Sequence, residues 1–263
     1  MSGKFLMTPN SHKVIKYSEI SEKGAATKES PIAREAEVMM SVNGDVWLGL
    51  RCSPDNLEMM AVGFLYNESF IQSIDEVSLI KVCDDKTNID VWLKHGIEKP
   101  SHWNRTSGCQ GGLSRSLESV ATPGKYTNRY NYSDVQTNLS MFLAALNQMR
   151  ELRSGIHTTF LFDDLRTIIS SDDVGRHNTL DKIAGFCLSN KVTLEKPMLI
   201  TTGRISSDMV LKAARIQVGL LISLHSVSSL AIETGEKLGI TLVGHARASK
   251  LNVFTQSDSI TPQ

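Results

Sequence analysis

The sequence predicts an α/β protein that carries a smaller α+β unit on its N-terminal side. Two observations carry this. From about residue 134 onward, short apolar runs alternate with stripes at helical spacing. Repeated strand–helix–strand units of that kind imply a mainly parallel sheet covered by helices. Within the first hundred residues, two hairpin patterns flank a single helical stripe. A chain of 263 residues has room for one large domain or two small ones. The reading places a small domain at 1–104 and an α/β domain at 105–263.

Residues 1 to about 36 are polar and lack periodicity, which predicts a loosely held tail with one strand at most. Val38, Met40 and Val42 then alternate with polar positions, Asn43-Gly44 follows, and Val46, Leu48 and Leu50 alternate again. Asn-Gly between alternating runs is a strong hairpin signal. Ser53-Pro54 offers an N-cap and an N1 proline. Leu57, Met60, Ala61, Phe64 and Leu65 fall on one face of the helix that should follow. Val77–Val82 and Ile89–Leu93 read as a second pair of strands. Beyond them, Leu139, Phe142, Leu143, Leu146 and Met149 mark an amphipathic helix. Thr159–Phe162 and Thr167–Ser170 read as paired strands, and Leu180, Ile183, Ala184 and Cys187 as a helix stripe. Met198–Thr201, Leu220–Leu224 and Ile240–Val243 are strands, interleaved with helices over Ser206–Val218 and Ser228–Leu238.

Composition narrows the function. Lys plus Arg number 28, as do Asp plus Glu, so the formal net charge is zero. A general nucleic-acid binder would be basic, so no nucleic-acid partner is expected. No apolar run approaches the length of a membrane span, and the N-terminus lacks the apolar region of a secretory signal. The expectation is a cytoplasmic protein whose four cysteines (52, 83, 109 and 187) are reduced thiols.

Four segments carry chemistry. Thr106-Ser107-Gly108-Cys109-Gln110-Gly111-Gly112 sets one cysteine among glycines. Glycines cannot wall off a thiol, and reactive cysteines occupy such open places; the same composition also suits a flexible loop that happens to hold a cysteine. Asp172-Asp173-Val174-Gly175-Arg176-His177-Asn178 is denser in polar groups than a turn requires. Arg176 can grip phosphate with two hydrogen bonds, His177 can exchange a proton near neutral pH, and the two aspartates can orient them. Thr201-Thr202-Gly203-Arg204-Ile205-Ser206-Ser207 joins a strand to a helix, where free N–H groups, hydroxyls and Arg204 suit an anion. A plain helix start capped by Ser206 or Ser207 fits the same residues. After the last strand, Gly244-His245-Ala246-Arg247-Ala248-Ser249-Lys250 offers two more cations, on a flexible glycine or on a solvated tail.

These blocks, in this order, resemble the formate dehydrogenase accessory sulfurtransferases of the FdhD family, over about Glu37 to Thr255. The resemblance implies a cytidine-deaminase-like three-layer sandwich for the large domain. It implies that Cys109 takes sulfur as a persulfide from a cysteine desulfurase. The sulfur would pass to the molybdenum cofactor, a bis(molybdopterin guanine dinucleotide), for formate dehydrogenase. It makes His245, Ala246, Arg247, Ala248, Ser249 and Lys250 the cofactor contact, beside Arg176, His177, Gly203 and Arg204, and it implies a homodimer. The sequence departs from the family at Gly112, where a second cysteine is usual, at His245, where Phe is usual, and at His225. Cys52, Cys83 and Cys187 read as structural. A zinc deaminase is excluded: no His or Cys is followed two residues later by Glu, and there is no Cys-x-x-Cys pair, so no metal site is expected. The alternative that stays open is a non-catalytic chaperone that binds and delivers the cofactor without using Cys109.

Overall fold

A computed structural model of the chain describes residues 12–99, 126, 128–149 and 155–262, with the backbone of 104–105 and 113–114. The chain first forms a two-stranded antiparallel ribbon, β1 (His12–Ser21) and β2 (Gly24–Ala33). The expected loose tail is therefore a hairpin. Its strands escape the pattern because cross-strand ion pairs hold it, Lys28 to Glu19 at 2.7 Å and Lys16 to Glu29 at 3.6 Å. Nearly every side chain is exposed, so no apolar–polar alternation marks it.

Next comes a four-stranded sheet of β3 (Ala36–Val42), β4 (Asp45–Cys52), β5 (Val77–Val82) and β6 (Asn88–Leu93), in the order β4-β3-β6-β5. Asn43 and Gly44 both take positive φ, 51° and 90°, as a tight hairpin turn requires. The two hairpins join through a parallel β3–β6 ladder. Val38, Met40, Leu50, Ile89 and Val91 are buried in one cluster with Met60, Phe64 and Leu65 of α1 (Leu57–Asn67). The helix begins after Asn56, not at Ser53-Pro54 as expected. Ser53 instead reaches the second half of the chain. Its N–H donates to Asp173 Oδ2 at 3.1 Å and its hydroxyl accepts from the Val174 N–H at 3.1 Å.

The second unit is a six-stranded sheet. β10 (His157–Asp163), β11 (Arg166–Asp173), β12 (Pro197–Thr201), β13 (Leu220–Ser223), β14 (Thr241–Arg247) and β15 (Lys250–Val253) lie in the order β11-β10-β12-β13-β14-β15. The strands between β6 and β10 are two-residue pieces, β7 (Asn104–Arg105), β8 (Leu113–Ser114) and β9 (Tyr130–Asn131), and β16 (Ile260–Thr261) pairs with β9. The β12–β13 and β13–β14 ladders are parallel and the other three antiparallel, so the large sheet is mixed where a mainly parallel one was expected. One face buries Leu161, Leu199, Leu221 and Leu242 against α3 (Arg176–Ser189), α4 (Ser207–Arg215) and α5 (Ser229–Leu238). The other buries Phe160, Ile200, Ile222 and Val243 against α2 (Tyr132–Gln148). This is a three-layer α/β arrangement. α4 stops at Arg215, short of the expected Val218, because Gln217 turns into positive φ (59°) and the Val218 N–H reaches back to Ala213.

The two units meet where α1 crosses α3. A Cβ on Gly63 would stand 1.7 Å from the Asp181 carbonyl oxygen, and one on Gly185 1.8 Å from that of Met59. Around this crossing lie buried charges. Lys182 pairs with Asp173 at 2.6 Å, Lys212 of α4 reaches both oxygens of Asp181 at 2.6 and 2.5 Å, and Asn67 of α1 donates to Asp181 at 2.7 Å. Gly63→Ala should force the helices apart and destabilise the protein by about 3 kcal/mol or more. Gly96→Ala, with nothing within 4 Å, should stay within about 0.5 kcal/mol of wild type. Urea unfolding of both variants checks this, and equal midpoints would contradict the packing argument.

Candidate functional site

In α/β sheets, ligands bind beyond the carboxyl ends of the strands. Here β12 and β13 end side by side at Thr201 and Ser223, and β10, running the other way, begins beside them at His157. A buried chain of hydroxyls fixes the floor. Thr159 Oγ1 lies 2.8 Å from that of Thr201 and 2.7 Å from that of Thr179, and the Thr179 hydroxyl donates to the Arg176 carbonyl at 2.7 Å. The first turn of α3 is thereby tied to two strands of the sheet.

The turn after β12 is shaped by Gly203. Its N–H donates to Thr201 Oγ1 at 3.0 Å, and its carbonyl accepts from the Ser223 hydroxyl at 2.6 Å. A side chain at Gly203 would meet Arg176 Cβ at 2.9 Å, so the turn and the start of α3 touch. The parallel bridge between Ile205 and Val227 joins this turn to the one after β13. His225 and His245 follow in register, the His245 N–H donating to the His225 carbonyl at 2.8 Å. Arg247 lies across the same edge and donates to the Leu224 carbonyl at 2.9 Å.

His177 is buried, with Nε2 3.1 Å from the Ser206 hydroxyl and 4.0 Å from Asp208 Oδ2. Burial first, then Lys212, Arg176 and His157, hold its pKa well below the ordinary histidine value. Ser206 does occupy the N-cap of α4 as expected, but its side chain makes no capping bond. Half-buried His157 is also pushed down, by burial and then by Arg176, His225 and Arg204. The site thus gathers Arg176, Arg204, His157, His177, His225 and Arg247 at one end of the sheet. His157 and His177, both pushed down, lie among arginines, an arrangement that suits an oxyanion, whose charge would favour protonating them.

The sequence-predicted residues divide. Arg176, His177, Gly203, Arg204 and Arg247 come together. The segment read as following the last strand, a cradle or a solvated tail, is instead β-structure, with His245, Ala246 and Arg247 inside β14 and Lys250 opening β15. Gly244, read as a flexible hinge, is packed: a Cβ there would meet Val227 at 2.8 Å and Phe254 at 2.9 Å. Ala246 is buried in the α2-side core, so its side chain is not offered to a ligand. Ala248 and Ser249 form the exposed hairpin tip, where the Ser249 carbonyl accepts from Tyr132 at the start of α2. Asp173, expected to orient Arg176 and His177, pairs with Lys182 and accepts from the Gly175 N–H and Asn178 Nδ2, each at 2.8 Å. Periodicity gave no sign of His157, since its place depends on the antiparallel β10–β12 ladder. Among the described residues, no three His, Cys, Asp or Glu stand close enough to hold a metal, and no helix is long and apolar enough to cross a membrane.

Cys109 and Gly112 lie outside the described residues. On either side of their segment, Asn104–Arg105 pairs antiparallel with Leu113–Ser114. The other cysteines are engaged in the fold. Burial pushes Cys52 and Cys187 up to about 12. Cys83, expected to be buried, is half-buried in the β5–β6 turn, where its thiol donates to Asp85 Oδ1 at 2.8 Å and accepts from the Asn88 N–H at 2.9 Å.

The model of the FdhD/NarQ family matches residues 33–261. The chain belongs to this family. Among its FdhD/NarQ relatives, a protein of Bacillus pumilus (strain SAFR-032) named sulfur carrier protein FdhD is 33% identical over 240 residues, 89% of this chain and 92% of that one. One of the same name from Shouchella clausii (strain KSM-K16) is 32% identical over 241 residues, 88% and 90% of the two chains. The crystal structure of a formate dehydrogenase accessory protein from Desulfotalea psychrophila superposes with a TM-score of 0.80 at 25% identity, covering 95% of this chain and all of that one. The β1–β2 ribbon, apart from its last residue, precedes the segment matched to the family.

The depressed histidines give a pH signature with a definite sign. Below the ordinary value of 6.5 the unfolded chain takes up protons that folded His177 refuses. Stability should therefore be full above pH 6.5 and fall as the pH drops below it. Chemical denaturation between pH 7.5 and 5.5 reads this out, and His177→Gln should flatten the fall. An unchanged slope in that variant would contradict the assignment.

Proposed function

We propose that this FdhD/NarQ-family protein is a persulfide-based sulfurtransferase in which Cys109 carries the sulfur. The observation that carries the reading is the state of the other thiols: Cys52 and Cys187 are buried and held protonated, and the Cys83 thiol is bonded to a carboxylate. Cys109 is the remaining thiol of the chain. The sulfur-carrier names of the relatives support the same role. In the loading step the Cys109 thiolate attacks the outer sulfur of a desulfurase persulfide. The new S–S bond forms as the old one breaks, and the desulfurase thiolate leaves. A resolving cysteine at position 112 would expel the sulfur by closing a disulfide, so Gly112 lengthens the life of the persulfide.

The acceptor in this reading is the molybdenum cofactor, delivered for formate dehydrogenase, in keeping with the accessory role that the Desulfotalea protein's name gives it. Arg176, Arg204 and Arg247, with the Gly203 turn, suit the diphosphate of a guanine dinucleotide. Gly203 fits that role, because any side chain there would fill the space against Arg176. The strand order β11-β10-β12-β13-β14, with helices on both faces, supports reading the large unit as cytidine-deaminase-like. A homodimer in the cytoplasm completes the proposal.

Two measurements test it. After incubation with a cysteine desulfurase and cysteine, intact mass should show one added sulfur on wild type and none on Cys109→Ala. Equal loading of the two, with equal formate dehydrogenase activation, would replace the sulfurtransferase by the delivering chaperone. In calorimetry, guanosine diphosphate should bind wild type and lose about one to two decades of affinity in Arg204→Ala, the magnitude of one charge-assisted hydrogen bond. Unchanged affinity in both Arg204→Ala and Arg176→Ala would remove the diphosphate site from the proposal.

A further inference from the structure

The far end of α3 borders a cavity of about 420 Å³. It lies between the ends of α1, α3 and α4, with Gln72–Asp75 on one side and Lys191–Leu194 on the other. Along α3, Cys187 is about 16 Å from Arg176, at 1.5 Å of rise per residue. This space is therefore separate from the arginine cluster at the start of that helix. Its volume is within the range of small-molecule sites.

Arg215 is the unusual residue of its wall. The residue is only 8% exposed. Its Nε and Nη2 donate to the Tyr66 carbonyl at 3.1 and 2.8 Å, and Nη2 also donates to Gln72 Oε1 at 3.1 Å. The Tyr66 ring lies 4.4 Å from its centre, and the Tyr66 hydroxyl donates to the Arg215 carbonyl at 2.9 Å. These contacts fix the guanidinium in place without supplying a counter-charge. No carboxylate among the described residues forms an ion pair with it, and none of them bonds Nη1. The dipole at the end of α4 offsets part of the charge. A buried cation otherwise needs a partner. The nearby Lys191–Asp75 pair is exposed and internally neutral. Ile74, Leu188, Leu194 and Ile216 supply apolar surface beside the polar Ser73, Thr193 and Gln217.

We propose that this cavity binds a compact organic oxyanion, a carboxylate or phosphate group meeting Arg215 and an apolar body lying against Ile74, Leu194 and Ile216. Cys187 lines the cavity as a protonated wall group.

The test uses the full-length protein at low ionic strength and three probes of one shape: benzoate, phenyl phosphate and neutral benzamide. Calorimetry should show at least one anion binding with Kd below about 1 mM, and benzamide at least about tenfold weaker. Comparison of the two anions tells a carboxylate site from a phosphate site. Arg215→Gln should abolish binding. Thr193→Trp, at an exposed position on the rim, should narrow the mouth and weaken binding at least about tenfold; it decides alone if Arg215→Gln does not fold. Arg204→Ala should bind as wild type does. The proposal is overturned if neither anion binds below about 1 mM, if Thr193→Trp leaves affinity unchanged, or if Arg204→Ala abolishes it. The last result would assign the binding to the arginine cluster.

Discussion

Gly63 and Gly185 face each other where α1 crosses α3, and a methyl group on either would enter the backbone of the opposite helix. Much of the arrangement depends on this approach. α3 is the one helix that packs on the large sheet, touches the first unit and carries Arg176 and His177 at its start. With α1 held against its middle, α3 has little freedom to slide, and the Thr159–Thr179–Thr201 hydroxyl chain fixes its first turn from the other side. The site sits between these two constraints.

Buried charges add direction to that contact more than strength. Removing Asp and Lys side chains from water costs several kcal/mol per ion, and the attraction inside roughly repays it. Asp181 accepts from Lys212 and from Asn67, so three helices must meet at one carboxylate. Asp173 does the same for Ser53, Gly175, Asn178 and Lys182. Slipping any of these elements would leave a charge buried without its partner, which is far costlier than the net value of the pair. The residues that read as most chemical in the sequence thus divide into two groups. Asp173 and Asn178 join the units, while Arg176 and His177 are left facing the turn after β12.

Much of this was legible in the sequence where a local rule and the tertiary structure agree. Asn43-Gly44 between alternating strands read correctly because the turn itself demands positive φ at both residues. The helix stripe Leu57–Leu65 read correctly because those five residues do face the small sheet's core, although Val62 and Gly63 outside the stripe are buried as well. The block from Asp172 to Asn178 and the turn at Gly203 pointed to the site. The β1–β2 ribbon was missed because exposed ion pairs leave no periodic trace. Ser53-Pro54 misled because both look like the start of a helix, while Ser53 is used to bind Asp173 and Val174 instead. Gly244 misled because a glycine beside charges suggests flexibility, while here it lets Val227 and Phe254 pack closely. Gly63 and Gly185 were not singled out, since the partner that requires each lies far away in the chain. Arg215, on a helix end, gave no sequence signal that its charge would be buried.

The central claim is that the packing of α3 brings Arg176 against the Gly203 turn to form an oxyanion site at the ends of the parallel strands. A crystal structure of the protein with guanosine diphosphate tests it most directly. The account predicts the diphosphate within hydrogen-bond reach of Arg176, Arg204 and the backbone around Gly203. Diphosphate bound elsewhere, for example at Arg215, with Arg176 and Arg204 making no contact to it, would contradict the account.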